Sequence, residues 1–115
     1  MDAGMAVSLL GQITAPLRVT IRVCRREDLR DLEWFGLILA HRAVIEATFH
    51  RQEAGEMVML VAEANRFPAG QVWIDLTMKR AASVGVLGAL RVLPCLQNLG
   101  IGSALIRSAE RVLYE

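Results

Sequence analysis

The chain has 115 residues, 54% of them hydrophobic and 22% charged, with a formal net charge of +1. That length makes a single domain, small enough to bury only about two thirds of the surface its unfolded chain exposes. The near-neutral balance leaves no footprint for nucleic acid or a polybasic membrane contact, no stretch reaches the ~18–20 apolar residues of a membrane span, and two cysteines fit free thiols in a reducing cytoplasm.

Residues 1–17 read as a flexible leader ending at Ala15-Pro16. Its apolar part, Ala6 to Leu10, follows Asp2 and precedes the first basic residue, Arg18, so it does not have the pattern of a secretory signal. The domain is expected over residues 18–115. Residues 17–24 alternate weakly, with Val19, Ile21 and Val23 opposed to Arg18, Thr20 and Arg22, as in a half-buried strand. From Arg26 the period changes. Leu29, Leu32 and Phe35, then Leu39, Ala43, Ile45 and Phe49, recur at steps of mostly three or four, which predicts two helices separated at Gly36, the second running to Gln52. Glu27 and Asp28 fall in the first turn, where negative charge suits the helix dipole.

Two strands follow Gly55. Residues 57–64 are mostly apolar, and residues 65–70 hold a Pro and a Gly as a hairpin turn would. Residues 71–77 alternate, with Val72, Ile74 and Leu76 on one face and Gln71, Trp73, Asp75 and Thr77 on the other, polar face. Residues 78–82 form a basic turn, a last strand covers 84–92, and Ile101, Leu105, Ala109 and Val112 line one face of a closing helix. The order is strand, two helices, three strands, helix: a mixed α/β domain with a largely antiparallel sheet.

The most informative segment is Leu93-Pro94-Cys95-Leu96 followed by Gln97-Asn98-Leu99-Gly100-Ile101-Gly102-Ser103. A strand, a glycine-containing turn and an amphipathic helix meet there. The first turn of a helix exposes N–H groups without intrahelical partners, its dipole favours negative charge, and glycines let a phosphate approach the backbone. A phosphorylated cofactor is the expected ligand. A P-loop is excluded, because Gly102 is followed by Ser103 with no Lys. A dinucleotide fingerprint is excluded too, because Leu105 stands where a third Gly is required.

Val92-Leu93-Pro94 and Gln97 to Ile106, with the spacing Gln-x-x-Gly-x-Gly, resemble the acetyl-CoA signature of the GNAT family of N-acetyltransferases, and Val61 to Leu76 resembles that family's second and third strands. The resemblance implies a GNAT acyl-CoA N-acyltransferase-like α/β fold, truncated after the pyrophosphate-binding helix, since a complete GNAT domain continues with another strand, a helix and a hairpin. It implies acetyl-CoA as acyl donor and direct transfer to a primary amine of a small molecule, protein or peptide, without a metal. Leu90, Arg91 and Val92 would offer backbone groups to the pantetheine arm, and Gln97, Asn98, Leu99, Gly100, Ile101, Gly102 and Ser103 would hold the pyrophosphate. The other reading is a non-catalytic acyl-CoA-binding or interaction module. A homodimer is expected to cover the sheet edge that truncation leaves open.

Catalytic residues are not assigned by this reading. Asp75 and Glu63 are the carboxylates considered as general base, each against a solvated strand position. His41 and His50 lack a third ligand at metal spacing and read as helix-surface residues. Trp34, Phe35 and Trp73 read as packing. Tyr114 lies on the closing helix and does not occupy the place of the family's catalytic Tyr. Cys95 lies beside the turn, open to thiol reagents.

Overall fold

The computed structural model describes residues 9–34, 41–77 and 87–114. Four strands, β1 (Val19–Val23), β2 (Met57–Ala64), β3 (Phe67–Asp75) and β4 (Leu87–Val92), form one sheet in that order, every neighbouring pair antiparallel. Helix α1 (Arg42–Glu53) covers one face and α2 (Ile101–Tyr114) the other. No helix among the described residues is long and apolar enough to cross a membrane.

The alternation along β2 explains why both faces are covered. Leu60 and Ala62 join Val72 and Ile74 of β3 under Ile101, Leu105 and Ala109 of α2. Met59 and Val61 point the other way, to Ile45 and Phe49 of α1 and to Leu32. A strand buried on both sides reads as a continuous apolar run, as residues 57–62 do. The 71–77 alternation carries a correction here. Gln71 is not on a solvated face: it is 1% exposed, and Trp73 beside it packs toward α1.

The helix expected from Arg26 is two short 3₁₀ turns, Arg26–Asp28 and Asp31–Glu33, ending at Trp34 in the left-handed region (φ 49°). Ten residues alone are marginal as a helix, and tertiary contacts take over. The Asp28 carboxylate leaves the helix register to accept from the Arg25 N–H and from Arg22. Trp34 buries its ring and donates Nε1–H to the Pro68 carbonyl at 2.8 Å. Gly36, Phe35 and Leu39 lie outside the described residues. In α1 the inward residues are Ile45, Thr48 and Phe49, whereas Ala43 is exposed. Gln52 of α1 extends the sheet's bonding by donating to the Cys24 carbonyl and accepting from the Met59 N–H.

The β2–β3 turn is shorter than the composition of residues 65–70 predicts. Ala64 pairs with Phe67, leaving Asn65 (φ 52°) and Arg66 (φ 66°) as a two-residue loop, the left-handed pair that suits strand twist. Pro68 and Gly70 are inside β3, where a register shift opposite Ala62 and Glu63 makes room for a proline in the ladder. Gly70 marks the close approach of α2: a Cβ there would stand 3.1 Å from Leu105 and 3.2 Å from Ile101. The expected residues 78–82 of the basic turn and 84–86 of the last strand lie outside the described residues. Residues 9–17 carry no helix or strand and are exposed.

Arg22 on β1 organises a polar cluster on the α1 side of the sheet. Its guanidinium clasps both Asp28 oxygens at 2.7 and 2.8 Å and reaches Glu63 at 2.8 Å. Burial alone would raise the Asp28 carboxyl, but the Arg22 clasp and the Arg25 N–H outweigh it and hold the group below the ordinary carboxylate range. A depressed folded-state value stabilises the fold above the unfolded value and loses that contribution as pH falls through the folded one. We therefore expect wild-type stability, read as a urea midpoint, to drop on acidification below about pH 4. Asp28→Asn should cost about 1–2 kcal/mol at pH 7, after allowance for solvent screening, and lose less on acidification.

Candidate functional site

The chain's C-terminal third builds a cleft from three pieces. Strand β4 ends at Val92, where the Leu93 N–H donates to the Ala69 carbonyl at 2.8 Å and keeps the chain end against β3. A 3₁₀ turn, Pro94–Leu96, follows, with proline in its first turn where no N–H is needed. The chain then reverses through Asn98 (φ 66°) and Gly100 (φ 89°) into α2. Gln97 ties this reversal to the strand by donating Nε2–H to the Val92 carbonyl at 3.1 Å.

The Gly100 carbonyl accepts the first helical bond, from the Ala104 N–H at 3.0 Å. The N–H groups before Ala104 are thus the ones a helix start leaves free, at the positive end of the dipole. Nothing stands within 4 Å of where a Cβ on Gly100 would be, so the turn is open to a ligand. The cleft holds about 380 Å³ and is lined by Leu90, Arg91, Val92, Leu96, Gln97 and Asn98, then by Gly100, Ile101, Gly102 and Ser103.

Nine of the ten residues that the sequence singles out for a phosphorylated cofactor come together in this cleft. Leu99 does not line it and is 61% exposed at the tip of the turn. Leu96 lines it unforeseen, because its 3₁₀ turn folds its side chain back between strand and helix.

Strand β4 also carries a bulge. Gln71 faces Arg91 and Trp73 faces Gly88, so Ala89 and Leu90 together oppose Val72. Ala89 takes φ 52°, the left-handed conformation that alanine rarely adopts. Bulges re-aim strand groups and occur beside active sites. On the α1 side of this bulge lies a second hollow of about 90 Å³, lined by His41, Val44, Ile45, Gln71, Trp73, Ala89 and Arg91. Neither His41 nor Gln71 is marked as a site residue by the sequence. His41 reads there as a helix-surface residue; it stands at the N-cap of α1 and also lines this hollow.

The carboxylates fare differently. Glu63 is bound by Arg22 as part of the structural cluster and is not free to act as a base. Asp75 accepts from the Thr77 hydroxyl and N–H and lies 3.5 Å from Arg51. The Thr77 hydroxyl foremost holds the Asp75 carboxyl below its ordinary range, making it a weak base. The two do not form a pair, since Asp75 sits opposite Met57, six positions along β2 from Glu63 and about 20 Å away. Among the described residues no group of three or more His, Cys, Asp or Glu side chains could hold a metal. Tyr114 is 86% exposed in the last turn of α2.

The two cysteines differ sharply. Burial pushes the Cys24 thiol up to about 12, so it is uncharged at neutral pH, whereas Cys95 is exposed. An aromatic disulfide reagent should therefore label one thiol promptly in the native protein, at Cys95, and the second only on unfolding in guanidinium.

No protein-family model and no curated protein matches this sequence. Solved structures do match. The PaiA N-acetyltransferase of Thermoplasma acidophilum, in complex with coenzyme A, superposes with a TM-score of 0.64 at 17% identity, over 84% of this chain and 72% of that one. The fold is that of the GNAT N-acetyltransferases. AAC(6')-Iy, in complex with the bisubstrate analog CoA-S-monomethyl-acetylneamine, matches with a TM-score of 0.60 at 20% identity, over 82% of this chain and 70% of that one. The GNAT family N-acetyltransferase YhbS of Escherichia coli, in complex with CoA, matches with a TM-score of 0.59 at 18% identity, over 90% of this chain and 60% of that one. The present chain thus carries the GNAT fold over a span shorter than any of the three.

Proposed function

We propose that this protein is an N-acetyltransferase that passes the acetyl group of acetyl-CoA directly to a primary amine, with residues 18–115 as the working domain and residues 1–17 as a leader. The observation that carries the proposal is the cleft between β4 and α2, which offers what a pyrophosphate needs. It has free backbone donors at a helix start, a glycine at φ 89° with open space before it, and a hydroxyl at Ser103. The structural neighbours support the same reading, since their described complexes contain coenzyme A or a bisubstrate analog built on it.

Acetyl-CoA would supply a thioester, an acyl group activated enough to pass to an amine without a covalent enzyme intermediate. The chain's own residues bind and orient. Gln97 through Ser103 hold the diphosphate end, while Leu90, Arg91 and Val92 lie where a pantetheine arm would run along β4. In the net reaction a C–S bond breaks and a C–N bond forms. The acceptor ammonium gives up two protons, one to the departing thiolate and one to solvent.

The cytoplasm is the compartment that fits two unpaired cysteines, and a homodimer covering the outer edge of β4 belongs to the same proposal. Incubation with acetyl-CoA and a panel of amines, with free CoA measured by chromatography, tests catalysis. Amine-dependent release is expected. CoA binding without release for any amine would replace the enzyme reading with a non-catalytic acyl-CoA-binding module.

A further inference from the structure

We infer that residues 9–17 form an exchanged arm. In a dimer of this chain, the arm of each copy lies antiparallel along the outer edge of β1 of the other and fills the groove between β1 and α2. The contact lies at the opposite edge of the sheet from β4, and nothing in it depends on acetyl transfer.

The pattern of β1 does not stop where β1 begins. Leu9, Ile13 and Leu17 continue the odd-numbered series of Val19, Ile21 and Val23, with only Gly11 and Ala15 between them. The even positions hold Gln12, Thr14, Arg18, Thr20 and Arg22, beside Leu10 and Pro16. A period of two sustained over residues 9–23 is that of a strand with one apolar face. Yet β2 ends at Ala64, opposite Val19, and residues 9–17 pair with no strand among the described residues. Leu9 is left 70% exposed, Leu10 85% and Ile13 87%.

Strand β1 presents a surface that matches. It is an edge strand of the sheet. The Cys24 N–H turns inward to the Met59 carbonyl at 2.7 Å, so by antiparallel alternation the N–H and C=O groups of Val19, Ile21 and Val23 point outward. The Val23 carbonyl also accepts from the Arg22 guanidinium at 3.2 Å and keeps a second lone pair. Beside this edge runs a groove of about 260 Å³, with Ile21, Val23, Leu60 and Val112 among its lining.

Register points to the arm of a second copy as the occupant. Pairing Leu9 with Val23 of the partner subunit, Gly11 with the partner's Ile21 and Ile13 with the partner's Val19 sets apolar face beside apolar face, because opposed residues share a side of the sheet. The backbone groups turned to the partner then belong to Leu9, Gly11 and Ile13, each with an N–H to donate. Pro16, the arm's one proline, falls on the side that needs none. Each copy makes the same contact to the other, as a two-fold axis requires. Closing the arm onto its own β1 in that register would make Ala15-Pro16-Leu17 a three-residue hairpin loop, with Leu17 in the left-handed place that suits glycine. No residue from 9 to 18 has a positive φ. A two-residue loop would shift the pairing by one and turn Leu9 and Ile13 to the wrong face. Interfaces bury about 30–40 Å² per residue and need about 1,000 Å² in all. Two arms, two β1 edges and two grooves reach about that size.

The test is a cross-link on the full chain. Cys95→Ser leaves only the buried Cys24. On that background, chains carrying Leu9→Cys are refolded from urea together with chains carrying Val23→Cys and then oxidised. Hydrogen-bonded cross-strand partners lie about 5.5 Å apart between Cα atoms, within reach of a disulfide. A disulfide-linked dimer is expected from the mixture and from neither variant alone. Sedimentation gives a second readout. Ile13→Asp changes a side chain that is 87% exposed in the single copy, so the fold should survive, but the dimer should weaken at least ten-fold. Gln12→Asp, on the other face, should change it much less. A monomeric wild type would overturn the exchange, as would a dimer indifferent to Ile13→Asp, the behaviour of one joined at β4. So would a disulfide that closes within a single chain carrying both cysteines, since the arm would then lie on its own strand.

Discussion

Replacing Gly100 with Glu should weaken CoA binding by about 100-fold or more, the equivalent of losing two charge-assisted hydrogen bonds to phosphate. Gly100 has φ 89°, and its carbonyl accepts the first bond of α2. A Cβ there meets no protein atom within 4 Å, so a side chain starts in open space rather than in the core. The carboxylate would then occupy the ground the diphosphate needs and repel it. The fold should survive, because the strain of an L-residue in this conformation is only about 1–2 kcal/mol. Calorimetry with CoA, alongside a urea titration, separates the two effects. Gly100→Ala carries the strain without the charge and should lose much less affinity.

The second large effect is expected from a residue that does not line the cleft. Gly70→Val should destabilise the protein by about 1–3 kcal/mol through overpacking, and weaken CoA binding as well. A Cβ at Gly70 would stand 3.1 Å from Leu105 Cδ1, 3.2 Å from Ile101 Cγ2 and 3.3 Å from Ala62 Cβ. Ile101 is the first residue of α2, so the relaxation that relieves this crowding displaces the helix start on which the cleft depends. Leu105→Ala removes the nearest obstacle. Alone it should cost about 2–5 kcal/mol, but combined with Gly70→Val the total should fall short of the sum, since the added valine carbons enter the vacated space. Urea titrations of the two single variants and the double variant measure that coupling. Strict additivity would mean that α2 does not rest on Gly70.

What could be read from the sequence follows physical range. The closing helix was legible because Ile101, Leu105 and Ala109 repeat at helical spacing and pack on one face. The turn before it was legible because Gly100 supplies a local backbone need. The 26–34 region was not. Its apolar spacing suits a helix, but Asp28 is claimed by Arg22 from β1, and Trp34 reaches the Pro68 carbonyl 34 positions away.

The small hollow was illegible for a related reason. Gln71 and Arg91 meet through the β3–β4 register, which shifts at a bulge beside them, and His41 joins them from the start of α1. No glycine advertises the bulge: the positive φ falls on Ala89, while Gly88 beside it stands in open space. Asp75 and Glu63 were plausible bases by residue type, and only their partners, Thr77 with Arg51 and Arg22, remove them from that role.

Thermal unfolding of the wild-type protein across a series of acetyl-CoA concentrations tests the central claim most directly. A ligand that binds only the folded state raises stability by about 2.7 kcal/mol at one hundred times its dissociation constant. A midpoint that climbs steadily with acetyl-CoA, and does not climb in Gly100→Glu, is the predicted result. A midpoint unmoved by millimolar acetyl-CoA would contradict the assignment of the β4–α2 cleft to this cofactor.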